Sequence, residues 1–187
     1  MADKQFVSAQ QLLEDSFRLG RMVLASGFRP DFIVGVWRGG TPVGIAVQEF
    51  LEYNGVPSDH IAIRTSSYEG IERRGKQIRI HGLGYIVTNA DAGHRLLIVD
   101  DVYDTGLSIQ AIIDSLRTRS RRNTPHDIRV ATVFFKPGNN RTSRRPDYCV
   151  HETDKWLVFP HELNGLEAGE IARHKPEIAR ILEEVLP

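Results

Sequence analysis

Asp100 and Asp101 stand side by side at the end of the apolar run Leu96-Leu97-Ile98-Val99, and Asp104-Thr105-Gly106-Leu107-Ser108 follows after Val102-Tyr103. Two carboxylates can hold sugar hydroxyls or a hard cation, whose preferred ligands are oxygens. Thr105 to Ser108 bring hydroxyls and backbone N–H groups to what reads as a helix start, an arrangement that suits phosphoryl oxygens. Acids beside a phosphate cradle point to a phosphorylated sugar as ligand.

An apolar run of this kind fits a strand buried on both faces. Its acids would then sit at the carboxyl end of a strand, where open α/β sheets bind ligands. On a straight strand neighbouring acids point to opposite faces, so the chain is expected to turn at Asp100. The rest of the chain supplies a matching frame. Phe32–Trp37 reads as a first buried strand, Ile61–Arg64 as a second, Arg129–Phe135 as a fourth and Tyr148–Val150 as a short fifth. Ser8 with Gln11 reads as a capping box opening a helix. Leu12, Leu13, Phe17, Leu19, Val23 and Leu24 mark the buried face of that helix, and Gly27 its end. Pro42 suits the first turn of a second helix running to about Tyr53. A third follows Ser108 to about Leu116. Glu167–Leu186 is helical with a break at Pro176. Strands alternating with helices indicate a mostly parallel sheet covered on both faces.

The segment 65–93 is different. It mixes Ser, Glu and Arg with five glycines and holds only short strand-like pieces, Gln77–Ile80 and Tyr85–Val87. A mobile loop with a small antiparallel excursion is expected, and long insertions of this kind in compact domains often close over a site.

Composition narrows the field. The chain has 187 residues, 41% hydrophobic and 26% charged, with a formal net charge of zero. That fits one domain, 1–187, with a core over about 28–150 and a smaller hood over about 151–187 to which the N-terminus adds. No global charge argues for a nucleic-acid or membrane partner. The first residues contain no apolar leader, and no apolar run approaches the roughly 20 residues that span a bilayer, so a cytoplasmic place is expected. Cys149 is the only cysteine, which excludes an internal disulfide; it reads as a small strand residue packed in the interior.

The string from Leu96 to Ser108 resembles the phosphoribosyl pyrophosphate (PRPP) motif of the type I phosphoribosyltransferases. The resemblance implies that Asp100 and Asp101 engage the ribose hydroxyls, directly or through Mg²⁺. It implies that Thr105, Gly106, Leu107 and Ser108 hold the 5-phosphate. Arg38-Gly39-Gly40 resembles the family's pyrophosphate loop, in which relatives carry a cis non-proline peptide. Thr65-Ser66-Ser67-Tyr68 resembles its flexible catalytic loop, with Ser67 and Tyr68 as the closing pair.

A finer resemblance concerns the base. An acid at the place of Asp104 is a mark of the 6-oxopurine branch, where it serves N7 of the purine as general acid or base. Val133-Phe134-Phe135-Lys136-Pro137, followed by Asp154-Lys155-Trp156-Leu157, resembles the base-binding half of bacterial hypoxanthine and xanthine-guanine enzymes. Lys136 would donate to the purine O6, Trp156 would stack on the ring, and backbone near Leu157 would read its far edge. Glu162 is carried over as a third metal-side acid.

The expected reaction is 6-oxopurine plus PRPP giving a purine nucleotide and pyrophosphate, with Mg²⁺ as cofactor, in a homo-oligomer (dimer or tetramer). The competing readings are transfer to another base, and a PRPP-sensing regulator that binds nucleic acid. For the second, Arg117, Arg119, Arg121, Arg122, Arg141, Arg144 and Arg145 form basic clusters. They lack the interleaved aromatics of RNA recognition, so a solvated face or subunit contact is the expectation.

Overall fold

The computed structural model describes residues 3–68 and 77–184. Its elements in chain order are β1 (Lys4–Phe6), α1 (Ala9–Ala25), β2 (Phe32–Trp37), α2 (Gly40–Tyr53), β3 (Asp59–Tyr68), β4 (Gln77–His81), α3 (Gly84–Asn89), β5 (Arg95–Tyr103), α4 (Leu107–Ser120), β6 (Asp127–Phe135), β7 (Tyr148–Glu152), β8 (Trp156–Val158), α5 (Ala168–His174) and α6 (Pro176–Glu183). Residues 13–154 form one compact unit. Residues up to 12, with 155 onward, form another.

The larger unit is an α/β layer structure. Its six strands run in the order β4-β3-β2-β5-β6-β7, all parallel except β4, which returns antiparallel on β3. Period-two alternation explains why β2 and β5 read as unbroken apolar runs: each face meets helices. Phe32, Val34, Val36, Leu96 and Ile98 join Ile109, Ile112, Ile113 and Leu116 of α4 and Ile86 of α3 in one buried cluster. The alternate residues Ile33, Leu97 and Val99 are equally buried, as are Val43, Val47 and Leu51 of α2. This is the mostly parallel sheet expected of the motif spacing, with β5 at its centre and its carboxyl end free to carry a site.

Several boundaries differ from the sequence reading, each for a physical reason. β5 does not turn at the acids. It runs on to Tyr103, with Asp100 in register with Thr132 and Tyr103 with Phe135 of β6. β3 extends to Tyr68 because β4 gives it an antiparallel partner, Tyr68 lying opposite Gln77. Tyr85–Val87 lies in helix α3, not a strand. Its β-branched content misleads, but Leu83, Ile86 and Ala90 are buried at spacings of three and four, the helical period. Thr88 and Asn89 also bond their side chains back to the carbonyls of Gly84 and Tyr85.

On α1, Ser8 Oγ accepts the Gln11 N–H (3.1 Å), and Gly27 ends the helix with φ +80°. The buried face is narrower than expected, because Leu13 and Phe17 are exposed while Leu19 and Val23 are enclosed. α4 continues past Leu116 to Ser120, where the buried Leu116 and Ser120 still hold it to the core. The last helical segment breaks at Lys175, as Pro176 dictates. The segment 69–76, part of the expected mobile loop, lies outside the described residues, as do the side chains of Ser67 and Tyr68.

The smaller unit is the expected hood. It is built on a two-stranded parallel sheet in which Lys4, Gln5 and Phe6 lie opposite Trp156, Leu157 and Val158. Its α5 opens with a capping box between Glu167 and Glu170, and Glu170 also takes the Lys4 ammonium at 2.7 Å. Lys175 is buried there and donates to the carbonyls of Phe159 (2.6 Å), Pro160 (3.1 Å) and Glu162 (2.6 Å). Burial shifts its ammonium below the ordinary lysine range.

Candidate active site

The site begins where β5 runs out. Tyr103, 1% exposed, is pinned by its hydroxyl, which lies 2.9 Å from Thr142 Oγ1 and donates to the Arg144 carbonyl at 3.1 Å. Its ring meets Phe135 edge-on. Over that ring the chain bends sharply at Gly106, which has φ +75°. A Cβ at Gly106 would lie 2.5 Å from the Tyr103 hydroxyl, so glycine is required here by conformation and by space.

α4 starts immediately after, at Leu107; its N-cap Gly106 has no side chain to offer, and the Thr105 hydroxyl accepts only the Leu107 N–H, at a long 3.4 Å. A helix start capped this weakly leaves N–H groups to an external acceptor. A small cavity of about 80 Å³ opens there, lined among others by Asp100, Asp104, Thr105, Gly106 and Ser108. Leu107 gives backbone to this cradle, while its side chain is exposed.

The acid pair lies on β5 itself, three and two residues before Tyr103. Asp101 is buried and its Oδ1 accepts the Val102 N–H (2.8 Å). Asp100 Oδ1 accepts the Asp101 N–H (3.0 Å). Burial, and then the adjacent Asp101 carboxylate, hold the Asp100 carboxyl well above the usual carboxylate range. Two close acids, one resisting ionisation, form a hard-oxygen donor set that a divalent cation would relieve. Among the described residues no three His, Cys, Asp or Glu side chains converge to hold a metal. The acid pair would suit Mg²⁺, which takes few carboxylates and completes its shell from water and substrate oxygens.

The loop after β2 abuts the same acids. The Trp37–Arg38 peptide is cis, as the resemblance implies. A Cβ on Gly39 would sit 1.7 Å from Asp101 Oδ2, and one on Gly40 would sit 2.5 Å from the Val99 carbonyl. Only glycines let this loop lie against the end of β5. Arg38 and Trp37 are exposed at its mouth.

Lys136 ends β6 as the sequence suggests, and it is buried rather than solvated. Its Nζ lies 3.8 Å from Asp104 Oδ2. The turn that follows is fixed from two sides: the Gly138 N–H donates to Asp154 Oδ1 (2.9 Å), and Asn139 Nδ2 donates to Asp104 Oδ1 (2.8 Å). Asp104 is thus oriented by Asn139 and faces Lys136. Asn139 was not foreseen. It lies 35 residues from its partner, and nothing local in Lys136-Pro137-Gly138-Asn139 marks it.

The larger unit thus brings together Asp100, Asp101, Asp104, Gly39, Lys136 and the Thr105–Ser108 loop. Trp156, Leu157 and Glu162 belong to the smaller unit. Trp156 is 60% exposed and Leu157 is buried on β8. Both line a cavity of about 860 Å³ in that unit, with Glu162, Lys4 and His174. Glu162 Oε2 accepts the Phe159 N–H at 3.0 Å. Cys149 is partly buried on β7, and burial raises its thiol pKa, which suits a packing residue rather than a nucleophile. No helix among the described residues is long and apolar enough to cross a membrane.

Comparison with known proteins agrees with the fold. The family model described as phosphoribosyl transferase domain matches residues 5–164. A crystal structure of a purine phosphoribosyltransferase from Pyrococcus horikoshii is 30% identical. It superposes with a TM-score of 0.69, over 88% of this chain and 98% of that one. The hypoxanthine-guanine phosphoribosyltransferase of Streptococcus pyogenes is 28% identical over 82% of this chain and 78% of its own. Xanthine phosphoribosyltransferase 1 of Saccharomyces cerevisiae is 25% identical over 88% and 92%.

Proposed function

This chain belongs to the phosphoribosyl transferase family, and on that premise we propose that it moves the 5-phosphoribosyl group of PRPP to a 6-oxopurine base: hypoxanthine, guanine or xanthine. The observation that carries the choice of base is the 3.8 Å approach of Lys136 Nζ to Asp104 Oδ2 beside the phosphate loop. A 6-oxopurine presents O6 and N7 on one edge, both within reach of two such neighbours. Lysine has donors only, so it suits O6 and opposes the amino group of adenine. The relatives named for hypoxanthine, guanine and xanthine support the same reading.

In the proposed reaction Thr105 to Ser108 hold the 5-phosphate, and Gly39 and Arg38 hold the pyrophosphate. Asp100 and Asp101 hold the ribose and would carry Mg²⁺; the chemistry that a bound ion supplies is neutralisation of the pyrophosphate oxygens. The C1–O bond to pyrophosphate breaks, the purine N9 forms the new bond to C1, and the proton on N7 passes to Asp104. Asn139 keeps the Asp104 carboxylate aimed at that proton. Trp156, Leu157, Glu162, Ser67 and Tyr68 enter the proposal through the family resemblance, as base-stacking, base-edge, metal-side and closing residues. So does the homo-oligomer, for which exposed Phe17, Ile45 and Tyr53 offer apolar surface.

Lys136→Met tests the base assignment. A charge-assisted hydrogen bond to O6 contributes roughly 1.5–3 kcal/mol. The variant should lose about 10-fold to 100-fold in kcat/KM on 6-oxopurines while narrowing the gap to adenine. Unchanged selectivity would remove Lys136 from the site.

A further inference from the structure

The far end of α4 carries a second cationic site that the proposed reaction does not use. Arg117, Arg121, Arg122, Thr124, Pro125 and His126 line a cleft of about 310 Å³. α4 has 14 residues, so this cleft lies about 20 Å along the helix from the phosphate loop.

Three guanidinium groups share this cleft, and no carboxylate lines it. The neighbouring acids are engaged elsewhere. Asp127 pairs with Arg129 at 3.0 Å, and Asp91 Oδ1 accepts the Gly93 N–H at 2.9 Å. Asp114 is shared between Gln110 (2.9 Å) and Arg117, the latter at a loose 3.8 Å. Among the described residues neither Arg121 nor Arg122 makes an ion pair.

The backbone adds an independent sign. Arg121 occupies the position after the helix with φ 51° and ψ −120°, and it is the one non-glycine among the described residues with positive φ. Glycine is the usual residue at such a helix end. Strained positions of this kind are held by their surroundings and cluster at ligand sites. Here the turn is held from both sides. The Arg121 N–H bonds to the Arg117 carbonyl, and Thr124 returns both its N–H (3.1 Å) and its hydroxyl (2.7 Å) to the Arg121 carbonyl. The strained turn places Arg121 with Arg117 and Arg122 around one cleft, all three exposed and accessible to a ligand.

We infer that this cleft binds the phosphate chain of a small polyphosphate, a di- or triphosphate, at a site separate from the PRPP loop. Guanidinium forks match phosphoryl oxygens in pairs, and three of them suit adjacent phosphoryl groups better than a single anion. The volume is at the low end for small-molecule sites. His126 is the one aromatic ring at the cleft, too little to stack successive bases along a strand, so the phosphates dominate recognition and a nucleic-acid strand is not the occupant. The inference stands apart from the base assignment and would survive its failure.

Amide chemical shifts of the full chain, followed during titration with inorganic triphosphate, test it without reference to activity. Shifts at Thr124 and His126 are expected, distinct from any at Thr105–Ser108, with binding weakened by added salt. R121Q/R122Q should bind at least about tenfold more weakly at the cleft, while a single phosphate or citrate should bind the wild type poorly. Parallel titration with ATP separates the sources: equal affinity means a free polyphosphate suffices, and tighter binding assigns a nucleotide. Arg121→Gly guards against misfolding, because glycine relieves the positive φ. It should raise the melting temperature and still weaken triphosphate binding. Shifts confined to Thr105–Ser108, undiminished binding by R121Q/R122Q, or an RNA oligonucleotide binding the cleft more tightly than triphosphate would overturn the inference.

Discussion

Gly106→Ala separates two demands that the phosphate loop makes on one residue. Gly106 has φ +75°, and an alanine in that left-handed region costs about 1–2 kcal/mol. Gly27 supplies a matched control: its φ is +80° and a Cβ there would meet nothing within 4 Å. Gly27→Ala should therefore cost the conformational part alone. At Gly106 the new Cβ would also lie 2.5–2.7 Å from three atoms of Tyr103. That ring cannot swing aside, since its hydroxyl is held by Thr142 and the Arg144 carbonyl and its edge faces Phe135. Overpacking of this sort adds about 1–3 kcal/mol. Urea denaturation should show Gly106→Ala less stable than Gly27→Ala by that margin. PRPP titration should show affinity falling about tenfold or more for Gly106→Ala, and unchanged for Gly27→Ala. Equal stabilities for the two variants, or unaltered PRPP binding by Gly106→Ala, would refute the claim that Tyr103 and Gly106 together shape the loop.

Asp104→Asn should lower kcat on a 6-oxopurine by about 10²-fold or more with PRPP affinity little changed, as steady-state kinetics and calorimetry would show. Asp100→Asn combined with Asp101→Asn should weaken PRPP binding and flatten its response to Mg²⁺ in calorimetry; an unaltered response would reduce the pair to a solvated turn. Asp31 bonds the Arg95 backbone N–H (2.7 Å) and guanidinium (3.0 and 2.9 Å), and Arg95 lowers its carboxyl pKa. A carboxyl lowered on folding stabilises above its unfolded value near 3.8 and loses that contribution as pH falls through the folded value. Asp31→Asn should thus cost about 1 kcal/mol at neutral pH, the pair being partly solvent-screened, and the difference from wild type should shrink as pH falls below 3.8 and vanish once the folded-state carboxyl is protonated.

What was legible in the sequence was local. The strand, the acids and the helix start of the phosphate loop are contiguous from Leu96 to Ser108, so their chemistry could be read before their placement. Lys136 was legible for the same reason, closing the apolar run Val133–Phe135. Contacts between distant segments were not. Asn139 reaches Asp104 from 35 residues away, and β1 and β8 are three-residue strands that exist only through each other. α3 was hidden by composition, since Tyr85-Ile86-Val87 favours a strand until Leu83 and Ala90 need burial on the same side. The continuation of β5 past the acids was also illegible, because β6 supplies the register that keeps it straight through Tyr103.

Pyrophosphate release from PRPP and Mg²⁺, measured separately with hypoxanthine, guanine, xanthine, adenine, uracil and orotate, tests the central claim most directly. The account predicts turnover with at least one 6-oxopurine and rejection of adenine by up to about 10⁴-fold, since Lys136 would face an amino donor in place of O6. Preference for adenine or a pyrimidine would contradict the assignment of Lys136 and Asp104 to a 6-oxopurine, and release with no base at all would contradict it too.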